Sequence, residues 1–180
     1  MLTASRVVRA ASCAALFVAS FWLADPAAAQ RRPFTPRFGV GLEGVVVPDG
    51  NGILQSGVGV GIHGRIALPL NADLSAGVGM GLDGFVLNGS SEATYLATPE
   101  ATLILTLPPR GEGVRYILGG IAGYLPLTDG IEPGGPALVV GAGWAFPLRE
   151  SSFYVELAPA LVVGRSTSTV AIPLRLGVIF

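Results

Sequence analysis

The sequence predicts an all-β protein: eight antiparallel strands, joined up-and-down and closed into a transmembrane β-barrel, preceded by a cleavable signal peptide. Three observations predict it. Mean hydropathy is high, at +0.61, yet beyond Leu23 no unbroken apolar stretch reaches the ~20 residues that a membrane helix needs. From Arg37 onward the chain falls into segments that alternate apolar residues with small or charged ones, the signature of strands with two unlike faces. The final segment, Val170 to Phe180, alternates strictly and ends on an aromatic residue.

Residues 1–29 read as an export signal. Arg6 and Arg9 form a basic start, Ala14 to Leu23 an apolar run too short to span a bilayer, and Ala27-Ala28-Ala29 a small-residue cleavage site before Gln30. Cys13 precedes most of the apolar run, and Ala10 stands where a lipoprotein signal would carry Leu. Residues 30–36 then form a short periplasmic lead-in, and 37–180 the barrel. The mature part has no cysteine, so a disulfide framework is excluded. The chain has no lysine, a formal net charge of -1, and no basic cluster interleaved with aromatics, so nucleic acid is not an expected partner.

The segments follow in order. In the first, Phe38, Val40, Leu42, Gly44 and Val46 oppose Gly39, Gly41, Glu43 and Val45. The second, about 56–70, sets Val58, Val60, Ile62, Ile66 and Leu68 against Gly59, Gly61, His63, Arg65 and Ala67. The third, about 74–87, sets Leu74, Val78, Met80, Leu82 and Val86 against Ser75, Gly77, Gly79, Gly81 and Asp83. In the fourth, about 93–107, Tyr95, Ala97, Ala101, Leu103 and Leu105 oppose Thr94, Thr98, Glu100, Thr102 and Thr106. The fifth, about 114–127, is undecided: Val114, Tyr116, Leu118 and Tyr124 compete with Ile117, Ile121 and Leu125. The sixth, 137–148, carries Leu138, Val140, Trp144 and Phe146 against Gly141, Gly143 and Ala145. The seventh, 153–164, carries Phe153, Val155, Leu157, Leu161 and Val163 against Tyr154, Glu156, Ala158 and Ala160. The eighth ends at Phe180.

Segments of this length suit tilted membrane strands, and an even number returns both termini to one side. Asn71-Ala72-Asp73, 108–113 and 149–152 read as turns on the side of the termini. The connections near 49–55, 88–92, 128–136 and 165–168 read as brief outer loops, two of them marked by Asp49-Gly50-Asn51-Gly52 and Pro133-Gly134-Gly135-Pro136. Phe38, Tyr116, Trp144, Phe146, Phe153 and Phe180 gather near the rim of the termini, and Tyr95 and Tyr124 near the other, as interfacial girdles would. Pro99, Pro159 and Pro173 fall deep in strands, where bulges or local breaks are expected.

By parity Glu43, His63, Arg65, Asp83, Glu100, Glu156 and Arg175 all point inward. Charges of both signs in a narrow interior must pair, which predicts an ion-pair and hydrogen-bond ladder filling the lumen. The many inward glycines keep a second possibility open, a narrow conduit or small-ligand pocket in the volume they leave.

The ending, with Leu176, Val178 and Phe180 alternating to the terminal aromatic, resembles the closing strand of bacterial outer-membrane β-barrels, which the barrel-assembly machinery reads. With the eight segments it makes the chain similar to the small barrels of the OmpA transmembrane-domain and OmpX type. The resemblance implies a Gram-negative outer-membrane location, periplasmic termini, membrane lipids and the assembly machinery as partners, no cofactor, and a structural role in the cell envelope. The brief outer loops and the lack of a periplasmic domain depart from adhesive, receptor and peptidoglycan-holding relatives. Some barrels of this size are lipid A deacylases, which need a serine beside a histidine. Here the residue two beyond His63 is Arg65, no inward serine is well placed, and an enzyme is not expected. No His and Cys set suggests a metal, and the Gly-x-Gly pairs lack the following helix of a dinucleotide site. A soluble lipocalin-like barrel would put its charged face outside, against the reading of the terminal strand.

Overall fold

Valine, isoleucine and leucine at every second position favour extended backbone and leave one face that only lipid or a packed core can cover. The computed structural model describes residues 35–49, 54, 56–87, 93–108, 112–127, 134–164 and 167–180. The expected signal peptide, most of the lead-in and most of the outer connections lie outside the described residues. Among the described residues nine strands form: β1 (Arg37–Val47), β2 (Gly57–Pro69), β3 (Leu74–Leu87), β4 (Ala93–Thr106), β5 (Val114–Pro126), β6 (Gly135–Pro147), β7 (Ser152–Leu157), β8 (Ala160–Val163) and β9 (Ser168–Ile179). β7 and β8 are two halves of one stave, both lying between β6 and β9, so the sheet has eight staves. Each is antiparallel to its neighbours, and β9 returns to β1 to close the barrel.

The register fixes the shape. Paired residues followed from Arg175 through Glu43, Gly61 and Asp83 arrive at Leu96 on β4. Followed the other way, through Glu156, Gly143 and Tyr116, they arrive at Thr106, ten residues further along the same strand. Eight staves with a stagger of ten imply a strand tilt of about 40° and a backbone radius of about 8 Å. Strands of 11 to 14 residues in β1 to β6 then make a wall roughly 28 to 35 Å tall, enough for a hydrocarbon core. On the side of the termini Asn71 folds one turn by accepting the backbone N–H groups of Asp73 and Leu74.

The prolines interrupt without inserting a residue. The pairing of β6 with β7 and with β8 keeps one register across Ala158 and Pro159, as does the pairing of both with β9. Val140 N–H donates to the Pro159 carbonyl at 3.0 Å, and Ala158 N–H to the Pro173 carbonyl at 3.1 Å. In antiparallel hydrogen-bonded pairs the return bond joins the same two residues. Proline has no N–H to supply it, so the ladder lapses on both sides of this stave at adjacent residues. Pro99 acts alike on one side only: β4 pairs with β3 through Met80↔Pro99, while its pairing with β5 skips Thr98 and Pro99 and resumes in register. These are breaks, not bulges.

The outer wall is apolar. Val60, Leu42, Val78 and Val140 are each more than half exposed, and Arg115 is the one charged side chain facing outward from a strand among the described residues. Phe38, Trp144, Phe153 and Phe180 are exposed near the rim of the termini, with Trp144 and Phe146 stacked at 5.2 Å; Tyr95 is exposed toward the other rim. Tyr116 and Tyr124 do not join these girdles. Both are buried inside the barrel, because β5 turns Tyr116, Leu118 and Tyr124 inward and Ile117, Ile121 and Leu125 outward.

Candidate functional site: the barrel interior

The lumen is built in layers by alternation along each stave. Toward the loops it is a packed apolar core that includes Val45, Val47, Phe85, Leu96, Val139 and Val162, with Ala158, Ala160 and Ala171 where space is tight. Glu43, His63, Arg65, Asp83, Glu100, Glu156 and Arg175 all lie buried in the lumen as parity places them. The apolar layer was not anticipated, although parity sets Val45 on the inward face with Glu43.

Six of the seven charged or titratable residues are brought together. Arg175 is the cross-strand neighbour of Glu43 on one side and Glu156 on the other. Its Nε donates to Glu43 Oε2 at 2.8 Å and its Nη1 to Glu156 Oε1 at 2.9 Å. Glu100, on β4 across the barrel, takes Nη2 at 2.9 Å and Nη1 at 3.2 Å. Glu156 also accepts Arg65 Nη1 and the Tyr116 hydroxyl, both at 2.8 Å. The Arg65 guanidinium lies 5.9 Å from the ring centres of both Tyr116 and Tyr154, close enough for cation–π attraction. His63 Nε2 meets Glu100 Oε1 at 3.2 Å, while its Nδ1 has no hydrogen-bond partner. Asp83 stands apart: it is buried and, among the described residues, joins no ion pair.

The network ties opposite walls together, and its tyrosines were the part sequence reasoning missed. Tyr154 has clear inward parity beside Glu156; Tyr116 sits on the one strand whose parity was undecided. The inward glycines do not leave empty volume. A methyl group on Gly59 would strike the Phe85 ring, on Gly79 the His63 and Glu100 side chains, on Gly41 the Tyr154 hydroxyl, and on Gly143 the Tyr116 ring. The glycines admit the large side chains of neighbouring staves, as close packing requires. Gly39 is the roomier exception, bordering a vestibule of about 60 Å³ near the rim of the termini, where Arg37 and Arg65 also line the wall. Among the described residues no three His, Cys, Asp or Glu side chains are gathered so as to hold a metal ion.

No family model matches the chain, and no curated protein matches it in sequence. Solved structures do match. Neisserial surface protein A superposes with a TM-score of 0.62 at 13% identity, over 80% of this chain and 94% of that one. A de novo designed transmembrane β-barrel gives 0.51 at 14% identity, over 84% and 98%. The N-terminal β-barrel domain of Pseudomonas aeruginosa OprF gives 0.51 at 15% identity, over 80% and 97%. Identities this low speak to architecture, and the architecture agrees in strand number and closure: the chain has the fold of the small eight-stranded outer-membrane β-barrels.

Proposed function

We propose that this protein is an integral outer-membrane barrel with a structural role in the envelope, exported by its signal peptide, with both termini periplasmic and a lumen sealed rather than conducting. The observation that carries the reading is the cross-braced interior. Arg175 is held by three carboxylates from three staves, Arg65 is fastened to Glu156 between two tyrosines, and an apolar layer lies on the loop side. A conduit would need ions to pass both layers, and burying an unpaired ion in such surroundings is costly. The side-chain volume that the inward glycines suggested for a pore or ligand pocket is occupied by Phe85, Tyr116, Tyr154 and the Glu100–His63 pair. A hydrolase reading gains no support, since the His63 ring is engaged with Glu100 and, among the described residues, no serine hydrogen-bonds to its other nitrogen.

The test uses protein purified from outer-membrane fractions, run on SDS gels with and without boiling and placed in planar bilayers. The expected result is a faster unboiled band and no stable conductance steps. A folded band with reproducible steps would replace the sealed reading with a pore; recovery only in the soluble fraction, with no band shift, would overturn the membrane assignment.

A further inference from the structure

A guanidinium on an apolar wall calls for a partner. Arg115 is the second residue of β5, at the rim of the termini, and faces outward among Ile117, Trp144, Phe146 and Leu157. Among the described residues no carboxylate pairs with it, and its Nε is shielded without a hydrogen-bond partner. It borders an external groove of about 490 Å³ whose exposed lining is almost wholly apolar. Small Ala142 lies among the lining residues between the larger side chains. Trp144 is the direct cross-strand neighbour of Arg115 and packs its indole over Gly113; Phe146 and Phe153 continue the aromatic row at 5.2 and 6.5 Å.

We propose that this groove is a binding site for one phospholipid, whose headgroup phosphate is held by Arg115 and whose acyl chain lies along the apolar floor at Ala142. The proposal rests on the membrane reading above, which sets the rim of this wall at headgroup level. Charge complementarity chooses the occupant. A planar guanidinium fork matches a phosphate in geometry and charge, the groove offers that phosphate a single cation, and the remaining lining suits hydrocarbon. A free anion would gain the Arg115 contact alone and leave the apolar groove uncovered. A phospholipid satisfies both parts.

Native mass spectrometry of the folded protein in neutral detergent, with phosphatidylglycerol added, tests the site. The wild type should retain one lipid per barrel, with inorganic phosphate at equal concentration failing to displace it. Arg115→Gln should lower retention at least about tenfold, as loss of a charge-assisted phosphate contact implies. Ala142→Leu, which fills the floor and leaves the cation, should lower it as well. Every sample is checked for the fast unboiled gel band. Equal retention by wild type and Arg115→Gln, both with that band, would overturn the site while leaving the barrel intact; displacement by inorganic phosphate would reduce it to a simple anion contact and overturn the lipid. A wild type without the band would overturn the membrane reading, and the site with it.

Discussion

Arg175 holds more of the interior than any other side chain described. It is almost fully buried, and its guanidinium touches Glu43, Glu100 and Glu156 within 2.8 to 3.2 Å. Removing it leaves three buried carboxylates without their shared cation, and breaking such a pair costs about 3–5 kcal/mol. Arg175→Leu should therefore lower the unfolding free energy in phosphatidylcholine vesicles by about that amount, read from urea titrations of Trp144 emission. A loss under about 1 kcal/mol, the scale of an exposed ion pair, would mean the layer is not closed to water. Strand period made this residue legible, because in β9 every second side chain from Thr169 to Gly177 is buried. Its partner Glu100 was not legible as a partner. β4 and β9 lie on opposite sides of the barrel, and contact across a lumen depends on diameter, which follows from the stagger and not from any one strand. The glycines misled for a related reason: Gly143 is spacious in sequence, yet the space belongs to Tyr116 of the next stave.

At the scale of the element, most of the chain was readable, since the period of two assigned faces wherever one face was small or charged. β5 was the failure. Tyr116 and Ile117 are equally acceptable to lipid and to a packed core, so parity there is decided by the Glu156 carboxylate waiting for the Tyr116 hydroxyl. The prolines were legible as trouble, and the structure shows its kind. Pro159 and Pro173 each withhold one N–H from a hydrogen-bonded pair while keeping register, so supplying that N–H should repair the stave. Pro159→Val places its side chain on the outer wall and offers a donor to the Val140 carbonyl. The expected gain is about 0.5–1.5 kcal/mol, the net worth of one such bond, together with slowed amide exchange at residue 159. A variant no more stable than the parent, with residue 159 exchanging freely, would show that the break is imposed by the backbone and not by the missing donor.

The barrel is completed only when its last residue meets its first strand, so closure is a property of the whole chain. Phe38 and Phe180 exchange both backbone bonds, at 3.2 and 2.8 Å, at the end of the β1–β9 seam. Phe180, by contrast, is 65% exposed and contributes little to packing; we propose that its ring serves recognition by the assembly machinery, together with Val178 and Leu176 on the same outer face. Backbone and ring can be separated. Phe180→Ala keeps the seam bonds and removes the ring, so refolding into vesicles should give a stability within about 0.5 kcal/mol of the parent, as for an exposed substitution. In cells the same variant should accumulate less folded barrel, measured as the fast unboiled band in outer-membrane fractions. Deleting Phe180 removes ring and seam bonds together, and should lower both stability in vesicles and yield in cells. If Phe180→Ala instead assembles in cells as well as the parent, the terminal ring is not what the machinery reads, and the exposed aromatic serves only the membrane interface beside Phe38.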